Sequence, residues 1–161
     1  MSIKPINEAT WSEILKLQAE AYALVDPESL EVLKSKWLCS PECCFVYEKA
    51  GNVIGYLLAH SWNKDTPPKL FQALPVGSEG TILFLHDLAI SSTAAGHGLG
   101  KKMVGNLLNI AKNSGFQQIR LVAVQDSSEF WKKQGFSSLG SQAVDPSYGV
   151  GAQLMLHELS T

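Results

Sequence analysis

Leu85 to Gly100, L-H-D-L-A-I-S-S-T-A-A-G-H-G-L-G, is the stretch from which the rest of the chain can be read. Upstream, Gly80 to Phe84 (G-T-I-L-F) leads into an apolar strand. Downstream, Lys101 to Gly115 (K-K-M-V-G-N-L-L-N-I-A-K-N-S-G) has the pattern of a helix closed by a glycine. The order is strand, glycine turn, helix. Gly96, Gly98 and Gly100 at alternate positions allow positive φ and let backbone amides approach a guest with no side chain between. The loop opens a helix, whose first N–H groups lack partners and whose dipole is positive at that end, so the expected guest is an anion such as a phosphate.

Two common phosphate motifs do not fit. A nucleotide P-loop places Ser or Thr after its lysine, whereas Lys101, Lys102 and Met103 follow here, leaving no hydroxyl for magnesium. A dinucleotide fingerprint follows the first strand and expects an acid about 20 residues on, at the tip of the next strand. Here the run lies past mid-chain, and the next strand-like stretch ends at Gln125.

The stretch resembles motif A of the GCN5-related N-acetyltransferases (GNAT), a strand ending acid-Leu-x-Val followed by R/Q-G-x-G-x-G/A and a helix. The matching residues are Asp87-Leu88-Ala89-Ile90 and Ala95-Gly96-His97-Gly98-Leu99-Gly100. A second block, Phe130-Trp131-Lys132-Lys133-Gln134-Gly135-Phe136, resembles motif B, F-Y-x-x-x-G-F, at the family's distance. Ala95 departs from the usual Gln or Arg, and Trp131 from the usual Tyr. Leu85 to Ile90 is also similar to the L-H-x-L-A-V of the serotonin and arylalkylamine N-acetyltransferases, as are Gly55 to Asp65 and the Pro41-Glu42 entry to the second strand.

Composition is compatible with this. The 161 residues suit one domain, 1–161, with 45% hydrophobic and 17% charged residues. A formal charge of -2 gives no reason to expect nucleic acid or an anionic membrane as partner. Met1 to Asn7 holds no long apolar run, so neither a leader nor a membrane span is expected, and a cytoplasmic location follows as the expectation. Cys39, Cys43 and Cys44 are odd in number and lack a second ligand cluster, so neither a disulfide framework nor a metal site is expected.

Along the chain, Ser2 to Asn7 reads as an edge strand because of Pro5. Trp11 to Tyr22 has helical spacing, with Thr10 and Glu13 as a capping box. Asp26-Pro27 is expected to cap and open a second helix that stops before Pro41. Cys44 to Lys49 and Val53 to Ser61 form a hairpin pattern around Ala50-Gly51-Asn52. Asn63 to Glu79, with three prolines, is a long connection of the kind that is usually functional or disordered. Gln118 to Gln125 reads as a buried strand and Asp126 to Gln134 as a short helix capped by Asp126. Two last strands are expected around Asp145 to Gly149. The order β-α-α-β-β-β-α-β-α-β-β coincides with the α/β GNAT fold, whose resemblance implies a central mixed β-sheet of about seven strands flanked by about four helices.

The resemblance implies acetyl-CoA as co-substrate and transfer of its acetyl group to a primary amine, a small arylalkylamine or polyamine being favoured, by direct transfer in a ternary complex. It assigns the amides of Leu88, Ala89 and Ile90 to the pantetheine arm and the Ala95 to Lys101 segment (Ala95, Gly96, His97, Gly98, Leu99, Gly100, Lys101) to the pyrophosphate. Phe130 and Lys133 join the coenzyme set. Lys101 and Lys133 could pair with phosphates or simply be solvated.

His86 is the candidate base, since an imidazole titrates near neutral pH and the arylalkylamine enzymes carry a histidine at the matching place. Strict alternation would put it on the face of Phe84, Leu88 and Ile90. A hydrogen-bonded core histidine is the alternative. Asp87 reads as a structural acceptor for nearby amides. His60, His97 and His157 read as structural or surface residues. With Trp131 where the family has its acid, an indole cannot supply a useful proton, and Tyr148, Ser127, Ser128 or a bound water are the candidate replacements.

The acceptor pocket is implied among Tyr22 to Ser29, Trp62 to Glu79 and Asp145 to Val150, with Tyr22, Pro27, Trp62, Phe71 and Tyr148 as an aromatic wall. Asp26, Glu28 and Glu31 could attract a cationic amine, or be a solvated helix start. The alternative to an enzyme is a catalytically weak or inactive acetyl-CoA-binding module of the same fold. A homodimer is left open.

Overall fold

The computed structural model describes residues 2–22, 26–141 and 144–159. Among these lie seven strands, β1 Ser2–Pro5, β2 Phe45–Lys49, β3 Asn52–Trp62, β4 Ile82–Ile90, β5 Gln118–Ala123, β6 Ser137–Gly140 and β7 Gln153–Glu158. Four α-helices accompany them, α1 Trp11–Ala21, α2 Leu30–Cys39, α3 Leu99–Asn113 and α4 Ser128–Lys133. The strands form one sheet ordered β1-β2-β3-β4-β5-β7-β6. Only β4 and β5 run parallel, because α3 carries the chain back between them; the other neighbours are antiparallel. Pro5 stands in the edge strand β1, where its missing N–H costs no ladder bond. No helix among the described residues is long and apolar enough to cross a membrane.

Each face of the sheet has its own core. On one, Met103, Val104 and Leu107 of α3 are buried against Leu57, Leu83 and Leu121, each contributing about 1.5 to 3 kcal/mol by removal from water. On the other, Trp11, Ile14 and Leu33 of α1 and α2 cover Val46, Tyr56 and Leu58. The β2–β3 hairpin turns through Ala50 and Gly51 at φ 52 and 81, two left-handed residues that match the twist of the strands.

Several boundaries differ from those expected, each for a local reason. Thr10 does not cap α1. Asn7 caps a 3-10 turn, Glu8–Thr10, that runs into the helix, and Thr10 returns the second bond of that capping box. Asp26 does not cap α2, because Ser29 accepts the Val32 N–H (3.3 Å) and starts the helix at Leu30. Asp26 to Glu28 are thereby left outside the helix. Nor does Asp126 cap α4. Gln125 and Asp126 both have positive φ (53 and 59), outside the extended conformation a capping side chain needs, and Ser127 takes the position before the helix. β5 ends at Ala123, and α3 begins at Leu99, two residues before the lysines.

The consequential difference is in β4. Leu58 pairs with Asp87 but Ala59 pairs with Leu85, so His86 is an extra residue, a β-bulge. Alternation breaks there. Leu83 and Leu85 face α3, and so do Leu88 and Ile90, whereas His86 and Asp87 both make their bonds on the α1–α2 side. His86 therefore does not share a face with Leu88 and Ile90.

Candidate active site

β4 pairs with β5 only from Ile82 to Leu85; beyond the bulge the two strands part while β5 stays on β7 as far as Ala123. The gap opens into a cavity of about 740 Å³ that runs between the strands from the glycine loop to the α1–α2 turn. Leu88, Ala89 and Ile90 line it from β4, and Val122, Val124 and Gln125 from the β5 side. The β4 edge facing the gap is free of a strand partner, so its backbone groups are available to an extended guest.

At one end stands the cradle. Gly98 has φ 71 and precedes α3, whose first bond runs from Lys102 N to Gly98 O (3.2 Å). The amides of Leu99, Gly100 and Lys101 consequently have no helical partner and point to the cavity end, where the dipole is positive. A Cβ on Gly100 would stand 3.0 Å from the Phe130 ring and 3.4 Å from Ile90 Cδ1, which explains a glycine there by close packing of helix on strand. Ala95, Gly96, Gly98, Leu99, Gly100, Lys101 and Phe130 all line the cavity. His97 and Lys133 are exposed and lie outside its lining.

At the other end a set of buried side chains converges from four parts of the chain. His86 Nε2 lies 2.5 Å from Glu28 Oε1, and the two side chains are 3% and 9% exposed. Burial would raise the Glu28 carboxyl, but His86, Lys36 and the Phe71 amide together hold it down at about 2. Glu28 is thus a carboxylate and can only accept, so Nε2 carries the hydrogen and Nδ1 is left as the buried nitrogen without a protein partner. Lys36 of α2 is fully buried as well, its Nζ donating to Gln72 O at 3.3 Å. Burial lowers this ammonium against the pull of Glu28.

Asp87 is a structural acceptor, for phenols instead of amides. Tyr22 and Tyr56 each donate to one of its oxygens at 2.5 Å. Burial pushes the Asp87 carboxyl up, while His86 and the two phenols pull it down less strongly. The arrangement fixes the end of α1 to β3 and β4 just beside the bulge. His60 is wholly buried, its Nδ1 bonded to Ser61 O (3.0 Å), and burial pushes it down to about 3, so it is neutral.

Tyr148 lines the cavity and donates to Pro68 O at 2.5 Å, closing the last connection over the long 63–81 segment. Burial raises the phenol, which stays protonated. Trp131 is a core residue, its ring 4.9 Å from Phe130 and 5.5 Å from Phe136. Ser127 lines the cavity and Ser128 does not. Of the expected aromatic wall, Tyr22, Pro27, Phe71 and Tyr148 are present. Trp62 is 3% exposed and donates to Thr66 O, so it packs beneath the 63–81 segment and stays outside the cavity. Asp26 lines the acceptor end, Glu31 does not, and Glu28 is neither solvated nor free. Residues 23–25, part of the expected acceptor wall, lie outside the described residues.

The family model of the Acetyltransferase (GNAT) family matches residues 11–136. The chain belongs to this family. A search of curated proteins gives no match. Among solved structures, the chain is similar to the GphF GNAT-like decarboxylase in complex with isobutyryl-CoA at 16% identity and TM-score 0.81, covering 99% of this chain and 100% of that one. It is similar to Ard1 from Thermoplasma volcanium at 17% identity and TM-score 0.75, covering 99% and 98%. It is also similar to Rv2747 from Mycobacterium tuberculosis in complex with CoA and NLQ at 16% identity and TM-score 0.74, covering 99% and 100%. At such identities these structures show the shared fold.

Proposed function

We propose that the protein is an acetyl-CoA-dependent N-acetyltransferase acting on a small primary amine by direct transfer in a ternary complex. The observation that carries this is one continuous cavity with the amide cradle of α3 at one end and the Glu28–His86 pair at the other. The coenzyme's pyrophosphate fits the cradle, and its arm the free edge of β4 from Leu88 to Ile90, which leads the thioester toward the bulge. The L-H-D-L-A-I sequence of β4 favours an arylalkylamine or, next, a polyamine. An apolar acceptor end of Pro27, Leu70, Phe71 and Val150 with Asp26 at its border is compatible with either.

In this reading an acceptor ammonium gives one proton to the His86 imidazole at Nδ1, since Nε2 is already bonded to Glu28. The free amine nitrogen then attacks the thioester carbonyl. A C–N bond forms, the C–S bond breaks with its electron pair going to sulfur, the nitrogen gives up its second proton as the amide forms, and the coenzyme leaves as a thiol after taking one proton. Of the two phenols on the cavity wall, Tyr22 is held by Asp87, and Tyr148 is the first candidate to pass that proton from nitrogen to sulfur. The His86 base holds a proton near the developing amide, and general base catalysis of this kind is worth about 10² to 10⁴-fold.

A second reading, a coenzyme-binding module with little or no transfer, is favoured by one observation. Trp131, at the family's acid position, is buried between two aromatic rings. Thiol release from acetyl-CoA, measured against arylalkylamines, polyamines, aminoglycosides and peptide N-termini, separates the two. Turnover with any amine removes the module reading; tight acetyl-CoA binding with no turnover across the panel removes the transferase reading.

A further inference from the structure

Glu28 holds together groups that the chain keeps far apart. Its own backbone is fixed from α1, its N–H donating to Gln18 Oε1 (3.2 Å) and its carbonyl accepting from Gln18 Nε2 (3.3 Å). Its carboxylate is then divided. Oε1 takes His86 Nε2 and Oε2 takes the backbone N–H of Phe71 at 2.9 Å. Phe71 sits at φ 66, a left-handed conformation that an aromatic residue adopts only when its surroundings hold it there. Its ring, 47% exposed, lies at the rim of the acceptor end.

We propose that Glu28 is a positioning residue that fixes the His86 tautomer and, with its other oxygen, the Phe71 rim of the acceptor site, so that base and rim are set as one unit. The proposal rests on His86 acting as the base of the proposed transfer. A carboxylate offers lone pairs only, so the bond requires hydrogen on Nε2 and leaves the lone pair on Nδ1. The same charge favours the imidazolium that forms when the proton arrives. Replacing the carboxylate by a carboxamide would leave one of the two donors without its acceptor, because a carboxamide has a single accepting oxygen.

The other titratable groups packed around the pair are Lys36 from α2, His60 from β3, Asp87 next along β4 with Tyr22 and Tyr56 beyond it, and Tyr148 from the last connection. Among the described residues only Glu28 is hydrogen-bonded to His86. Lys36 and Asp87 both remain in the variants below.

The test compares wild type, Glu28→Gln and Glu28→Asp, each first shown to be folded by an unchanged acetyl-CoA affinity. Long-range proton–nitrogen NMR of the His86 ring at pH 9, with no substrate present, is expected to show hydrogen on Nε2 in wild type and a mixed tautomer in Glu28→Gln. With an amine substrate, Glu28→Gln is expected to lose about 10²-fold in kcat and to shift the acidic limb of its pH–rate profile downward, since the imidazolium has lost its carboxylate. Its KM for the amine should rise through the freed rim while the KM for acetyl-CoA holds. Glu28→Asp, which keeps the charge, should restore the acidic limb toward wild type.

Wild-type hydrogen on Nδ1, or a Glu28→Gln protein with unaltered kcat and acidic limb, overturns the proposal. If wild type turns over no amine, the transferase reading fails by itself, and the ring tautomer in wild type and Glu28→Gln still decides whether Glu28 positions His86.

Discussion

The two ends of the cavity are made from different material. The cradle is backbone, supplied by consecutive residues from Leu88 to Lys101, and its geometry follows from a strand end, glycines and a helix start. The acceptor end is side chains from distant segments. Glu28 reaches His86 across 58 positions and Phe71 across 43, and Tyr148 reaches Pro68 across 80. A site built of amides tolerates nearly any side-chain change that leaves the backbone path alone, whereas a site built of side chains depends on each partner. The fold can thus keep one coenzyme grip and alter what stands opposite it.

The comparison predicts which changes should harm which end, and the largest effect belongs to the cradle. Gly98→Val places a β-branched residue at φ 71, where it forces the loop to another path. Acetyl-CoA affinity, read by calorimetry, should fall by roughly 10²-fold or more while circular dichroism stays native. Unchanged affinity would mean that the loop amides do not hold the coenzyme.

Next is His86→Gln, expected to lower kcat by about 10²-fold at neutral pH and erase the acidic limb while coenzyme affinity is kept. A destabilised variant with that limb in place would make His86 a core residue and break the division between the ends.

Tyr56→Phe removes one of the two phenols from Asp87 and should lower unfolding stability by about 1 to 3 kcal/mol in urea titrations. It should leave coenzyme affinity untouched, because the network braces α1 against the sheet and not the cradle.

The smallest effect is a slope. His60 is pushed by burial from its ordinary 6.5 to about 3, so the unfolded chain takes up a proton in that window and the folded one does not. The stability held by neutral His60 is full above pH 6.5 and falls by about 1.4 kcal/mol per pH unit below it. Between pH 6.5 and 4.5, His60→Gln should show a shallower loss than wild type by about that slope, with equal slopes counting against a buried neutral imidazole. Glu28 adds a separate window. Its depression from 4.5 to about 2 stabilises the fold above 4.5, and that contribution disappears as pH falls through 2.

Legibility follows the same line. The cradle could be read because its signals are contiguous, and the strand order followed from hydrophobic runs separated by turn residues. The acceptor end could not. Asp26-Pro27 carries a better local helix-start signature than Ser29, but Glu28 is drawn into bonds with Gln18, His86 and Phe71, and the turn stays open until Ser29 caps. Tertiary bonds outweighed the local preference. Buried Glu28 and Lys36 look in sequence like any pair of charges near a helix, since only the folded chain brings each its partners. A charged residue on an otherwise apolar helix stripe, as Lys36 is beside Leu33, is the faint signal that could have marked it.

The bulge at His86 also bears on what this strand can tolerate in evolution. With it, Leu83 and Leu85 before and Leu88 and Ile90 after all face the same core, although an odd step separates the two pairs. The extra residue acts as a change of phase, letting one strand present apolar side chains to α3 at both ends and polar ones to α1 in the middle. A one-residue deletion there would remove the bulge and restore strict alternation, leaving Leu88 and Ile90 toward α3 and Ala89 toward α1 while the α1 side loses one of its two adjacent polar groups. Shortening the strand here would thus leave its apolar face intact and take away the juxtaposition of His86 with Asp87 on the α1 side.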